Sequence, residues 1–241
     1  MTESASVPVI GRVRSPYGEK FAVPRQPRLA MHARCEIRFH DPYGDPEAFR
    51  GLEGFSHIFV IFVFDRIPNG PFKATVRPPR LGGNEREGVF ATRSPYRPSR
   101  LGLSAVRLDA ITRDEAGRAV LEISGGDFTD GTPVVDIKPY IPFSDSIPGA
   151  KGGFAAARPP ELEVAFTDEA RADLSSLSED EAAAVEETLA QDPRPAYRGD
   201  DERVYGALLY GRNVRFTVSG GKVRVIDAKI QQGQEPKEKS K

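Results

Sequence analysis

From residue 5 to about 145, apolar and polar positions alternate in short runs divided by Gly and Pro clusters, a pattern that predicts strands and turns rather than helices. Val7 to Arg14 alternates well enough for a strand and runs into the turn Ser15-Pro-Tyr-Gly18. A second strand is expected near Cys35 to Phe39, followed by a short helix around Pro46 to Phe49. Ile58 to Phe64 is an unbroken apolar run, rich in β-branched and aromatic residues and too short for a bilayer. It predicts a central strand buried on both faces. Further strands fall at Gly88 to Thr92, Leu103 to Ile111 and Ala119 to Ser124, with the Asp114 to Arg118 turn between the last two. Asp130-Gly131 marks a turn, because glycine tolerates positive φ, and β-branched Val134-Val135 leads away from it as a strand. Such spacing, almost without helices, fits a compact barrel or sandwich closing near residue 145.

Beyond this the period changes. Pro142 to Pro160 is rich in Ser, Pro, Gly and Ala and reads as a linker. Glu161 to Phe166 is a strand, and Thr167 caps a helix running to about Leu177. Ser178 with Glu181 forms a capping box for a second helix ending near Leu189. Strands at Arg203 to Tyr210, Arg212 to Val218 and Val223 to Ile230, turned at Gly211 and Gly220-Gly221, complete a small α+β unit. The fold class expected is therefore mainly β: a β-barrel domain over 1–148, a linker over 149–160, a small α+β domain over 161–230 and a tail over 231–241 without fixed structure.

Composition agrees with that picture. The chain has 241 residues, enough for one large domain or two small ones, with 23 Gly, 21 Pro and no Trp. A single cysteine excludes an internal disulfide framework and fits the reducing cytoplasm. No apolar run reaches membrane-spanning length and the first residues lack a secretory layout, so a soluble protein with no membrane partner is expected. Net charge is −1, but the distribution is uneven: between Arg66 and Arg107 nine Lys or Arg face two acids, Glu85 and Glu87. Eight of those nine are Arg, interleaved with Pro, Gly and aromatic residues. Two readings stand, a set of solvated loops or a surface for an anionic partner such as RNA. The stretch from Phe154 onward, with 13 basic and 17 acidic residues, is the poorer RNA platform.

The chemistry-bearing motifs are few. There is no G-x-G-x-x-G after a strand, no phosphate-binding loop of the G-x-x-x-x-G-K type and no hydrolase elbow. His32, His40 and His57 lack metal-ligand spacing, and no metal site is expected. Two prolines stiffen Phe21-Ala-Val-Pro-Arg-Gln-Pro27 and display Arg25 and Gln26, either as an extended connector or as a grip for a ligand's carboxylate or amide edge. Asp65-Arg66 lies where the apolar strand emerges, a place for ligand contacts or for a strand-end salt bridge. The stretch Asp127 to Tyr140 joins a tight turn to Asp136-Ile-Lys-Pro-Tyr140. Asp136 there is either a simple hydrogen-bond anchor or, with Tyr140, part of a grip on a planar amine.

With Phe21-Ala-Val-Pro-Arg-Gln-Pro27, Val76-Arg-Pro-Pro-Arg-Leu-Gly-Gly83, Gly88-Val-Phe-Ala-Thr-Arg-Ser94 and Asp130-Gly-Thr-Pro-Val-Val-Asp-Ile-Lys-Pro-Tyr140, the chain resembles the TrmO (TsaA-like) family over about residues 7 to 145. Ala190-Gln-Asp-Pro-Arg-Pro-Ala-Tyr-Arg198 extends the resemblance into the second domain. The resemblance implies a β-barrel methyltransferase that uses S-adenosyl-L-methionine to methylate N6 of threonylcarbamoyl-adenosine at position 37, in the anticodon loop of threonine tRNA, and that forms a homodimer. Its cofactor contacts carry over to Pro24, Arg25, Gln26, Phe64, Asp65, Arg93, Leu103, Asp130, Gly131, Thr132 and Pro133. Asp65 stands where many members have His, and Arg97-Pro-Ser-Arg-Leu-Gly102 replaces a more usual Arg-Pro-Asn-Pro-Ile-Gly.

On this reading Asp136 accepts a hydrogen bond from N6 and Tyr140 stacks on the base, in loose similarity to the Asp/Asn-Pro-Pro-Tyr tetrapeptide of unrelated amino-methyltransferases. Arg77, Arg80, Arg97, Arg100 and Lys138 are the expected RNA contacts. The competing reading is a non-catalytic RNA-binding barrel.

Overall fold

The computed structural model describes residues 5–195 and 201–231. The end of the Ala190–Arg198 motif and nearly all of the expected tail lie outside the described residues.

Six strands close into a barrel in the order β1-β2-β7-β6-β3-β8. They are β1 (Gly11–Arg14), β2 (Arg34–Phe39), β3 (His57–Val63), β6 (Leu101–Arg113), β7 (Ala119–Ser124) and β8 (Pro133–Pro139), and every pairing between them is antiparallel. β4 (Thr75–Val76) and β5 (Glu87–Gly88) form a separate two-stranded arm between β3 and β6. The long β6 serves two neighbours: its first half pairs with β3, and its second half with β7 after a register shift between Leu108 and Ala110. A second shift, between Ile61 and Phe62 on β3, bends its pairing with β8. Such irregularities supply the curvature that closure demands.

Closure also explains β3. Its residues alternate buried and half-buried, with Ile58, Val60 and Phe62 inside the barrel and Phe59, Ile61 and Val63 on the outer wall. The expectation of burial on both faces fails here because a barrel buries only its interior, and the run is apolar for two separate reasons. The interior is packed by Val13, Ile37, Ile58, Val60, Val106, Leu121 and Ile123, all fully buried. Each contributes about 1.5–3 kcal/mol of burial against chain entropy.

The expected strand at Gly88 to Thr92 is instead the end of β5 followed by a 3-10 turn at Val89–Ala91. The expected opening strand shortens to Gly11–Arg14. After a single helical turn, α1 (Pro142–Asp145), the chain reaches the second unit. Its four-stranded sheet runs β10-β11-β12-β9, from β9 (Glu163–Phe166), β10 (Asp201–Leu209), β11 (Arg212–Ser219) and β12 (Lys222–Ile230). β9 runs parallel to β12, and α2 (Asp168–Leu174) and α3 (Glu179–Ala190) connect β9 to β10. Thr167 caps α2 by accepting from Ala170 N, and the Ser178–Glu181 capping box opens α3 as the sequence predicts.

Packing crosses the boundary that the sequence marks. Tyr17, Ala22, Ala30 and Ala33, from the loop between β1 and β2, are buried in the core of the second unit with Val185, Leu189 and Phe216. Tyr17 also makes a bridge with Leu209, and its hydroxyl meets Thr188 Oγ1 at 3.2 Å. The loop that carries Arg25 and Gln26 is therefore held between the two bodies. Among the described residues no helix is long and apolar enough to cross a membrane.

Candidate active site

A cavity of about 630 Å³ opens at the end of the barrel where β3 leaves and β6 begins. That volume suits a nucleoside-sized ligand. Its floor is apolar, formed by Phe62 and Phe128, whose rings meet edge to face at 5.0 Å, with Phe64 standing 5.0 Å from Phe62 on the other side. Gly102 lies against Phe62 so closely that a Cβ there would fall 2.2 Å from the ring. Glycine at this position leaves room for the ring.

The wall is rich in cations. Lys20, Arg25, Arg66, Arg93 and Arg97 line it, against the carboxylates of Asp65 and Asp127. Several of these cations are engaged in holding the wall. Arg66 donates to the carbonyls of Gly18 and Asp130, Lys20 donates to the Arg66 carbonyl, and Arg97 donates to Thr92 O at 3.2 Å. Arg93 Nη1 donates to Gln26 Oε1 at 2.9 Å, which ties the Pro24-Arg25-Gln26 loop to the segment before β6. Arg25 is exposed at the cavity mouth, yet partial desolvation of its guanidinium lowers its pKa. Its Nη2 donates to Arg194 O at 2.6 Å and to Asp192 O at 3.3 Å.

Eight of the expected cofactor residues meet in this cavity: Pro24, Arg25, Gln26, Phe64, Asp65, Arg93, Leu103 and Thr132. Asp130, Gly131 and Pro133 lie behind it. Gly131 takes a φ of 80°, its N–H donates to Val13 O at 2.8 Å, and Asp130 Oδ1 accepts from Ser15 N at 3.0 Å. Those bonds fasten the turn to the end of β1 and present Thr132, whose hydroxyl donates to Thr129 O at 2.7 Å. The tight turn thus shapes the wall with its backbone while Thr129 and Thr132 supply the surface.

Asp136 and Tyr140 belong to a different surface. Ile137 packs against the barrel core, so alternation along β8 places Asp136 and Lys138 on the outer wall. Asp136 pairs with Lys138 Nζ at 3.0 Å and accepts from Ile137 N at 2.9 Å. In register it stands opposite Ile61, which stands opposite Leu103, so a row about 10 Å wide links Asp136 to the cavity edge. Tyr140 lies beside Phe59, with ring centroids 5.4 Å apart, and its N–H donates to His57 O. The opposite end of β3 puts Tyr140 about 20 Å from the cavity.

Four of the expected RNA contacts, Arg77, Arg80, Arg97 and Arg100, lie in the connection between β3 and β6, and Lys138 lies on β8. Arg77 is exposed on the arm. Arg80 donates to Ala157 O, and Arg100, at a φ of 53°, donates to Ile67 O, Pro68 O and Asn69 Oδ1, so it staples the loop after β3. Beside them Phe72 and Phe90 stack on one another at 6.4 Å, exposed by 60% and 72%.

One residue of the wall has no role in the sequence reading. This is Asp127, half-buried beside Phe128, and desolvation pushes its carboxyl up to about 6, against the opposing effect of the hydrogen bond from Ser104 Oγ at 2.6 Å and the charge of Arg93. Burial, with Asp127 nearby, pushes the Cys35 thiol up to about 12. The sequence places Asp127 only as the polar residue before a turn. Its signal is Ser104, a polar residue at an interior position of β6, buried opposite Val60.

Comparison with known proteins identifies the family. The family model for the tRNA-methyltransferase O N-terminal domain matches residues 12–146, and the model for the corresponding C-terminal domain matches residues 159–231. A protein of Escherichia coli named tRNA (adenine(37)-N6)-methyltransferase is 47% identical over 216 residues, covering 87% of this chain and 92% of that one. A protein of the same name from Eikenella corrodens is 48% identical over 167 residues, covering 69% of this chain and 93% of its own. The crystal structure of TrmO from Pseudomonas aeruginosa superposes with a TM-score of 0.78 at 37% identity, covering 96% of this chain and 99% of that one. With both domain models matched in order and a barrel whose open end gathers the family's motif residues, the chain belongs to the tRNA-methyltransferase O family.

Proposed function

We propose that this protein methylates N6 of threonylcarbamoyl-adenosine at position 37 of threonine tRNA, in the cytoplasm and as a homodimer. It is an S-adenosylmethionine-dependent tRNA (adenine-37 N6)-methyltransferase, as its family and its relatives of that name establish. The modified base, the isoacceptor, the dimer and the compartment are our reading. The cavity is the observation that carries the assignment to residues: one apolar floor, one cluster of guanidinium groups and one half-buried carboxylate meet in a volume of about 630 Å³.

The donor set fits the cofactor, which supplies an electrophilic methyl group on a sulfonium. Its carboxylate calls for a guanidinium, and Arg25 and Arg93 are there to take it. Phe62, Phe64 and Leu103 supply an apolar slot for the adenosine, and Gln26 and Thr132 offer polar edges. The positive pole of such a ligand needs a negative neighbour in a cation-rich wall, which Asp127 provides.

The acceptor nitrogen is a weak nucleophile, since its lone pair is delocalised into the ring and the carbamoyl group, so it must be oriented and its proton accepted. Asp136 is our assignment for the acceptor side, reached across the Leu103–Ile61–Asp136 row, whereas Tyr140, about 20 Å from the cavity, is too far along β8 to stack on the same base. Arg77, Arg80, Arg97, Arg100 and Lys138 border the approach, and the exposed Phe72–Phe90 pair offers ring surface to unstacked bases. Exposed Phe143 and Ile147, at 92% and 70%, support burial against a second copy.

The test is methyl transfer from labelled S-adenosylmethionine to threonine tRNA carrying or lacking the threonylcarbamoyl group. Label only in the former is expected. Equal labelling of both would refute the proposed substrate, and absence of label in both would favour the non-catalytic RNA-binding reading.

A further inference from the structure

We propose that the second domain is a positioning device for the cofactor cavity: its Gln191–Pro195 loop fixes Arg25 through two backbone carbonyls, and Asp192 and Arg194 hold that loop in shape. The inference rests on the reading of the cavity as the cofactor site.

Arg25 lies in a segment without regular structure, so no strand or helix dictates where its guanidinium points. The contacts that do so come from a loop 167 and 169 residues further along the chain, where Asp192 O and Arg194 O accept from Nη2. Nη1 and Nε make no hydrogen bond among the described residues and stay available to a ligand. The acceptor type matters. A carboxylate would pair with Arg25 and compete with an incoming anion, whereas a carbonyl compensates part of the desolvation and leaves the full positive charge in place. The nearest carboxylate, that of Asp192, is engaged elsewhere: Arg194 binds it in bidentate fashion, Nε at 2.8 Å and Nη2 at 3.0 Å.

The loop is built to hold those carbonyls still. Arg194 is 7% exposed, an unusual burial for a guanidinium, and its N–H also donates to Asp192 Oδ1 at 3.3 Å. Asp192 adopts a left-handed φ of 46°, which aspartate tolerates better than most residues and which turns its carbonyl toward Arg25. Behind it, α3 is locked to the barrel side. Glu187 accepts from His32 N at 3.0 Å, Arg34 pairs with Asp180 at 2.6 Å, and Tyr17 meets Thr188. Docking of the domain is thus already secured by α3. The strained, chelated loop adds nothing to docking that these contacts lack, but it reaches an arginine of the cavity wall, beside Gln26 and Arg93.

The experiment uses the full chain and three variants, Arg25→Ala, Arg194→Met and their double, with calorimetric binding of S-adenosylmethionine, melting temperature and tRNA affinity as readouts. Asp192→Gly, which keeps a left-handed φ at no steric cost but removes the chelating carboxylate, repeats the test should Arg194→Met not fold. Arg25→Ala is expected to weaken cofactor binding at least about tenfold, and Arg194→Met by about five- to tenfold, with tRNA affinity unchanged. The double variant should bind no more weakly than Arg25→Ala alone, because the loop acts only through that arginine. A lower melting temperature with unchanged cofactor affinity in Arg194→Met, or losses that multiply in the double, would overturn the proposal while leaving the cavity reading intact. Unchanged affinity in Arg25→Ala would overturn the cavity reading and the proposal with it.

Discussion

Replacing Asp127 with asparagine should make the protein more stable and a poorer binder of its cofactor. Burial raises this carboxyl from 3.8 to about 6, with Ser104 and Arg93 opposing the rise and Cys35 close by. A group that binds its proton more tightly in the fold than in the unfolded chain stabilises the fold while protonated. That contribution is complete below pH 3.8 and disappears as pH rises through about 6. At ~1.36 kcal/mol per tenfold change, the native protein at pH 8 carries an ionised Asp127 at a cost on the order of 3 kcal/mol. Asparagine is nearly isosteric, still accepts from Ser104 and carries no charge. Its gain should therefore be about 3 kcal/mol at pH 8 and about 1 kcal/mol at pH 4.5. In thermal melts this is a rise of roughly 6–12 °C at the higher pH, shrinking on acidification. Calorimetry of the same samples should show S-adenosylmethionine affinity down about tenfold at pH 8, since the wall has lost the negative charge of Asp127. A melting temperature at pH 8 equal to or below that of the parent, or a gain independent of pH, would refute the reasoning. A gain in stability with cofactor affinity untouched would leave the electrostatics standing and remove Asp127 from the binding site.

Three further outcomes follow from the geometry. Gly102→Ala should destabilise by about 1–3 kcal/mol and abolish detectable cofactor binding, because the added Cβ meets a Phe62 ring already wedged between Phe64 and Phe128; melts and calorimetry report it. Arg77→Ala with Arg80→Ala should lower tRNA affinity and flatten its log–log salt dependence by ~1 per lost phosphate contact, with cofactor affinity unchanged, as filter binding across a salt series would measure. Asp136→Asn should cut turnover about a hundredfold at saturating substrates and leave cofactor affinity alone; equal loss of both would take Asp136 out of the acceptor side.

The order of elements was readable because strands and capped helices write local patterns. The Ser178–Glu181 capping box, the Gly220-Gly221 turn and the β-branched run of β3 are each decided within a few residues. What was not readable depends on closure. Ile58–Phe64 is apolar throughout, and nothing in it tells a strand sandwiched between layers from a barrel strand whose outer wall is left for another surface to cover. The Arg-rich stretch before β6 shows its charge in the sequence but not the division of labour within it. Arg100 and Arg66 spend their donors on backbone carbonyls, whereas Arg77 is left exposed on the arm, and that difference lies in loop geometry with no periodic signature.

The site divides along the same line. Motif residues that touch the cavity through local backbone, such as Pro24, Gln26 and Thr132, could be named from the sequence because the motif is itself the local structure. The roles of Asp127 and of the loop at Asp192 could not, although both fall in stretches the sequence singles out, because they depend on partners far along the chain. Ser104 reaches Asp127 across 23 positions, and Arg194 O reaches Arg25 across 169. In both cases the structural sign is a polar group desolvated at a cost: an ionised carboxyl in one, a chelated arginine beside a left-handed aspartate in the other. A fold that needed these groups only for stability would do better without them, since apolar residues could fill the same volumes without a desolvation penalty. Their presence at the cavity that gathers the motif residues is intelligible if the penalty is offset when a charged ligand binds, and the opposite signs predicted for stability and affinity in Asp127→Asn put that explanation at risk.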